Sequence, residues 1–177
     1  MGVDVGNARV GVSVCDPDGI LATPLKTLRR DAKKNSDRRV LRKLIEVHEI
    51  REIFVGLPKT MRGGDSASTE MARSYAFELA QELADEENPM PVWLVDERLT
   101  TVSAHRSLHE AGVSSRNFKT MVDQVAAVNI LQAALDALKA GNSVAGFQVE
   151  IAQNLAENDS LPSGDEQSDE QDTETPS

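Results

Sequence analysis

The hydrophobic period of this chain changes partway along it, and that change restricts the available folds more than any other feature. Gly2 to Val5, Arg9 to Cys15 with Val10, Val12 and Val14 alternating, and Ile20 to Leu28 after the turn signal Asp16-Pro17-Asp18-Gly19 read as three strands of an antiparallel meander. Beyond them, helical and strand periods alternate. A helix is expected from Ser36 to Glu49, a strand from Glu52 to Gly56, a helix from Ser66 to about Glu86 and a strand from Val92 to Val95. A short helix from Val102 to Ala111 and a last helix from about Phe118 to Lys139 complete the order. Three antiparallel strands followed by two that return through helices specify an α/β chain with a mixed five-stranded sheet flanked by helices. In the first helix Val40, Leu41, Leu44, Ile45 and Val47 form the apolar stripe, with Arg38, Arg39, Arg42, Lys43 and Glu46 on the wet side.

Length and charge set the limits around this core. A folded part spanning 1–140, a connecting segment 141–152 and a disordered acidic tail 153–177 are expected, because the tail is rich in Ser, Glu, Asp, Gln and Pro and cannot bury enough apolar surface to offset its ordering entropy. The net charge of -10 is concentrated there: residues 150–177 hold nine Asp/Glu and no Lys or Arg, leaving 20 acidic and 19 basic residues in the remainder. Lys26 to Lys43 alone carries nine Lys/Arg against Asp31 and Asp37, so the charge pattern permits a polyanionic partner. The single cysteine, Cys15, excludes an intramolecular disulfide. No apolar run is long enough to span a bilayer, and the first residues do not read as a signal peptide. A cytoplasmic protein without a membrane partner is the resulting expectation.

Three acids sit where structural economy would not place them. Asp4 lies inside the first strand, Gly-Val-Asp-Val-Gly, with Gly2 and Gly6 on its own face, an arrangement that would leave room for a metal ion or a phosphate. A turn-capping role at Gly6 and Asn7 is the alternative. Glu97 follows the apolar strand Val92 to Val95 at its carboxyl end, where α/β sheets present ligand crevices; two-residue alternation turns Asp96 to the opposite face. Capping the next helix or pairing with Arg98 would also explain such an acid. Asp123 shares a helical face with Ala127, Ile130, Ala134 and Leu138, and there the alternative is complementing the helix dipole. Carboxylates converging from distant parts of a chain would make a hard oxygen cage of the kind Mg²⁺ prefers and phosphodiester cleavage uses. His105 and His109 have the i, i+4 spacing of a metal pair, but Arg106-Ser107 stands where a zinc protease would carry Glu, so exposed surface histidines are expected.

Four blocks, in order, carry a resemblance: Gly2-Val3-Asp4-Val5-Gly6 with Arg9-Val10-Gly11-Val12; Val55-Gly56-Leu57-Pro58 with Met61 and Gly63; Asp96-Glu97-Arg98-Leu99-Thr100-Thr101; and Val122-Asp123 with Ala126-Ala127 and Ile130-Leu131-Gln132. Over Met1 to Leu138 the chain resembles the bacterial YqgF (RuvX-like) proteins, named both Holliday-junction resolvases and pre-16S rRNA nucleases. The resemblance implies an RNase H-like fold and a metal-dependent nuclease whose triad maps to Asp4, Glu97 and Asp123, with Mg²⁺ or Mn²⁺ as cofactor. It also implies a nucleic-acid substrate, either precursor 16S rRNA trimmed at its 5′ end or a four-way DNA junction in recombination and repair. Arg62, Arg98, Arg116 and Lys119 are candidate phosphate contacts, with solvated surface pairs as the equal alternative. Cutting a symmetric junction suits a two-fold homodimer, whereas rRNA trimming needs one active site.

The chain departs from the family pattern at Asn7-Ala8, where Thr-Lys is usual, and at Lys59-Thr60-Met61-Arg62-Gly63, where Leu-Asn-Met-Asp-Gly is usual. Both departures bear on substrate preference. Relatives also carry several residues before the first motif, so a native start upstream of Met1 is expected. Two rival readings remain. Actin-like ATPases open on a similar strand but close two such domains around nucleotide, for which 177 residues are too few. A non-catalytic nucleic-acid-binding module would be expected to have lost the acids.

Overall fold

The computed structural model describes residues 1–60, 62–84, 89–97, 118–141 and 146–151, with the side chains of 118–123 outside that description. Its strands are β1 (Gly2–Val5), β2 (Arg9–Cys15), β3 (Ala22–Arg29), β4 (Ile53–Leu57), β5 (Val92–Asp96) and β6 (Gly146–Gln148). Its helices are α1 (Ser36–Val47), α2 (Ala67–Ala84) and α3 (Phe118–Lys139). They form one sheet in the order β3-β2-β1-β4-β5-β6. β1 and β2, and β2 and β3, pair antiparallel; β4 runs parallel to β1, and β5 parallel to β4. This is the RNase H-like arrangement, with one difference from expectation. The sheet has six strands, because β6 pairs antiparallel with β5 through Trp93↔Gln148, Leu94↔Phe147 and Val95↔Gly146. That strand falls inside the stretch expected only to connect. It is short, and all three of its residues are exposed, so no apolar alternation announces it.

The two faces of the sheet are covered by different helices. Val3, Val5, Val10, Val12, Val55, Leu57 and Leu94 point to one face, where they pack with Leu41 and Ile45 of α1 and with Ala72, Tyr75, Ala76, Leu79 and Leu83 of α2. Burying each larger side chain of this set contributes ~1.5–3 kcal/mol. The other face carries Phe54, Trp93 and Val95 against Ile130, Leu131, Ala134 and Leu135 of α3. α3 approaches the sheet because Gly2 lacks a side chain: a Cβ there would stand 2.5 Å from the Ala127 carbonyl oxygen and 2.8 Å from Leu131 Cβ. Ser13 Oγ, beside Gly2, donates to the same carbonyl at 2.7 Å. Among the described residues no helix is long and apolar enough to cross a membrane.

α1 differs from its expected orientation. Leu41 and Ile45 are buried, but Val40 and Val47 are exposed, and Arg38, expected on the wet side, is 3% exposed. Its guanidinium lies over the Tyr75 ring at 5.8 Å and pairs with Glu78 and, at 2.8 Å, Glu82 of α2. Asp37 is also buried, accepting from Arg30 at 3.0 Å. The pairs of Arg38 with two glutamates far along the chain, and of Asp37 with nearby Arg30, thus rotate the helix away from the stripe that its own apolar residues suggest. Leu138, expected on the buried face of α3, is likewise exposed. The expected helix Val102 to Ala111, with His105 and His109, lies outside the described residues, as does the acidic tail.

Candidate active site

The site is assembled at the carboxyl ends of the parallel strands β1, β4 and β5. Gly2 pairs with Phe54 and Val3 with Val55, and continuing that register sets Asp4 beside Gly56; Gly56 in turn pairs with Val95. Residues paired across strands project to the same face, and so do residues two apart in a strand. Asp4, Gly56, Val95 and, one step past the strand, Glu97 therefore share the face covered by α3. Asp96 pairs with the core residue Leu57 and turns away, as alternation requires.

Gly56 is what allows the acids to meet. A Cβ on it would stand 2.5 Å from Glu97 Oε1 and would also strike Ile130 Cδ1, so the Glu97 carboxylate lies across the strand position next to Asp4. Gly11 flanks Asp4 on its other side, in direct register within β2. Asp4 is thus flanked on both sides by strand positions that lack side chains. Asp4 and Glu97 are both only half-exposed. Burial, followed by the negative charges of Asp4 and then Asp96, pushes the Glu97 carboxyl up to about 7. A carboxyl perturbed in this way at the end of a sheet makes Glu97 a candidate functional group.

The glycine neighbours of Asp4 do not serve as expected. The strip beside Gly2 is filled by α3, and the space over Gly56 by the Glu97 carboxylate and Ile130. At the other end Gly6 makes a tight turn, donating its N–H to the Arg9 carbonyl at 2.8 Å. An interior strand glycine signals close approach by another group, and Gly56, inside Val-Gly-Leu-Pro, carried that signal.

Asp123 lies in the first turns of α3, with its side chain outside the described residues. The path of the helix backbone bears on its location. Ala127 sits over Gly2 and Ser13, while Gln132 and Lys139 reach Ala22 and Ile20 at the far end of the sheet. Going back from Ala127 to residue 123 therefore leads about 6 Å toward the end where Asp4 lies, itself about 6.6 Å along β1 from Gly2. Among the described residues no group of three His, Cys, Asp or Glu side chains is placed to hold a metal ion; Asp4 and Glu97 are the pair brought together.

The candidate phosphate contacts are only partly described. Arg62 is exposed in the loop after β4, at the same end of the sheet as the acids. Thr60 shapes that loop: its carbonyl accepts from Gly63 N–H at 2.8 Å and its Oγ1 from Gly64 N–H at 2.9 Å. Thr69 of α2 anchors the loop, donating to the Pro58 carbonyl. Arg98 and Arg116 lie outside the described residues, and Lys119 lies in α3 with its side chain outside them.

Comparison with known proteins adds a second line of observation. A family model described as "RuvX: Holliday junction resolvase" matches residues 1–137. A protein of Mycobacteroides abscessus named "Putative pre-16S rRNA nuclease" is 52% identical over 132 residues, covering 75% of this chain and 77% of that protein. One of the same name from Streptomyces avermitilis is 43% identical over 151 residues, covering 85% of this chain and 94% of that protein. Among solved structures, Thermus thermophilus RuvC in complex with a Holliday junction substrate aligns with a TM-score of 0.47 and 14% identity, over 84% of this chain and 97% of that one.

Proposed function

Since this chain belongs to the RuvX family, we propose that it is a metal-dependent nuclease that hydrolyses phosphodiester bonds at the Asp4–Glu97 site, with precursor 16S rRNA as its substrate. The observation that carries the reading is the meeting of Asp4 and Glu97 over Gly56, on the sheet face that α3 covers.

The residues present fit a divalent cation. Two hard oxygen donors, one of them pushed toward neutrality by burial and then by the charge of the other, lie together, and a cation between them would relieve that repulsion. Asp4 and Glu97 would hold Mg²⁺ or Mn²⁺, and the family triad adds Asp123 as third donor, a role consistent with the course of α3. When bound, such an ion supplies Lewis-acid polarisation of the scissile phosphate. The chain's own part is positional. Gly56 lets Glu97 Oε1 reach over β4, next to Ile130. α3 closes the cleft on the Gly2 side. With its carboxyl near 7 before a cation binds, Glu97 would give up a proton as the ion enters. Arg62, Arg98, Arg116 and Lys119 are assigned to phosphate contacts, and the cytoplasm to the protein's location.

The description of the family itself favours a second reading, resolution of four-way DNA junctions, which would call for a two-fold dimer. One experiment separates the two. Wild-type protein, Asp4→Asn and Glu97→Gln are incubated with labelled precursor 16S rRNA and with a synthetic four-way DNA junction, with and without Mg²⁺. The rRNA should be cut at its 5′ side only with metal, and each substitution should abolish cutting. Wild-type rates in Asp4→Asn would overturn the site, and metal-dependent cutting of the junction alone would favour the second reading.

A further inference from the structure

The rotation of α1 leaves a mixed basic and apolar stripe on its outward side. With Asp37 and Arg38 turned inward to Arg30, Glu78 and Glu82, the residues left exposed are Arg39, Val40, Lys43 and Val47, the two valines at 41% and 67%. Steps of three and four residues put all four on one helical face. The Arg39 guanidinium donates to the Lys34 carbonyl at 3.3 Å, which joins the exposed Lys33 and Lys34 to the same surface without neutralising any of these charges. Glu46 is the one exposed acid of the helix.

The chain passes beside this helix before its acidic segment begins. After β6, Val149 N–H donates to the Val92 carbonyl at 2.8 Å, and Ile151 packs against the core and lines, with Arg38 and Glu82, a groove of about 450 Å³ between α1 and α2. Residues 152–177 follow, with eight Asp/Glu, no Lys or Arg, and Leu155 and Leu161 as their large apolar residues. We propose that this segment docks on the outward face of α1, its carboxylates against Arg39 and Lys43 and its leucines against Val40 and Val47, and so keeps external polyanions off that face. Charge and apolar content match on the two sides, and the reach suffices. Glu157, the first acid, stands six residues past Ile151, at most ~20 Å of extended chain, against ~18 Å for the whole of α1. One exposed ion pair contributes little, but tethering sets an effective concentration in the mM range, at which several weak contacts hold together. α1 packs on the sheet face opposite the acids, so the docking is independent of the Asp4–Glu97 site.

The test compares the full chain with a full-length variant whose eight acids in 152–177 are changed to Asn or Gln. In amide NMR spectra at low salt, Arg39, Val40, Lys43 and Val47 should differ between the two proteins, and the difference should vanish near 1 M salt, where the screening length falls to ~3 Å. Arg39→Gln/Lys43→Gln, on exposed surface, reads the same contact from the helix side and should shift the amides of the acidic segment. Binding of a labelled short single-stranded RNA of random sequence, followed by anisotropy in metal-free buffer, gives the second readout. Neutralising the acids should steepen the slope of log Kobs against log salt by about 1.4, ~0.7 for each of the two uncovered cations. Arg39→Gln/Lys43→Gln should remove that gain in the neutralised chain and leave the slope of the wild type unaltered. Identical α1 amides in the two chains overturn the proposal. So does an equal loss of slope from the double substitution in both chains, since the face would then be open to RNA with the acids in place. Amide differences that grow with protein concentration also overturn it, because the segment would then be seated on a second copy.

Discussion

Substituting Gly56 by alanine tests the geometry of the site through a single methyl group. The new Cβ would stand 2.5 Å from Glu97 Oε1 and collide with Ile130 Cδ1, both far inside ordinary contact distance. Overpacking against Ile130 should lower stability by ~1–3 kcal/mol, read as a shifted urea midpoint at constant m-value. The second clash acts on function, because Glu97 must move by an ångström or more to clear the methyl, and a displacement of that size can reduce turnover ~100-fold. The two effects separate in Gly56→Ala/Ile130→Val. Valine lacks Cδ1, so part of the lost stability should return, while the clash with Glu97 persists and activity should not. Unfolding curves and initial rates on the same preparations check both. Full activity in Gly56→Ala, or recovery of activity on adding Ile130→Val, would refute the claim that Gly56 exists to admit the Glu97 carboxylate.

Three further outcomes follow from the same coordinates. The Glu97 carboxyl, raised to about 7, favours the protonated form in the folded state, so the metal-free protein should lose stability as pH rises from about 4.5 through 7, by on the order of 3 kcal/mol; urea titrations should show this slope vanish in Glu97→Gln, and Mg²⁺ should stabilise the wild type more at pH 8 than at pH 5.5. Arg38→Ala removes the partner of Glu78 and Glu82 and its packing on Tyr75, and should cost about 2 kcal/mol in thermal or urea unfolding, less than a fully buried pair because both glutamates reach solvent, with kcat unchanged in the folded fraction. Gly2→Ala pushes a methyl against the Ala127 carbonyl and Leu131, backbone included, and should cost ~3 kcal/mol or more by urea unfolding, with near-native kcat/KM in Gly2→Ala arguing against the close α3 approach.

Much of the architecture is written locally in the chain. Alternating valines in Arg9 to Cys15 and the continuous apolar run at Val92 reveal strands, and the helical period from Phe118 sets the start and end of α3, because short-range periodicity reports which face of an element will be buried. The same logic singled out Asp4 and Glu97, acids placed on or just past apolar strands, and separated Glu97 from Asp96 by two-residue alternation. The identity of the neighbour covering each face was not legible. Gly2 and Gly56 look alike in sequence; one admits the backbone of α3 and the other a carboxylate, a distinction set by the sheet order and the crossing of a helix far along the chain. Arg38 carries a charge that predicts exposure, and only the packing of α2 supplies the glutamates and the tyrosine that make burial affordable. Local pattern determines what each segment becomes and which side it hides, since propensity and period act over a few residues. Tertiary packing decides which groups meet, since burial and charge pairing depend on partners that no local window contains.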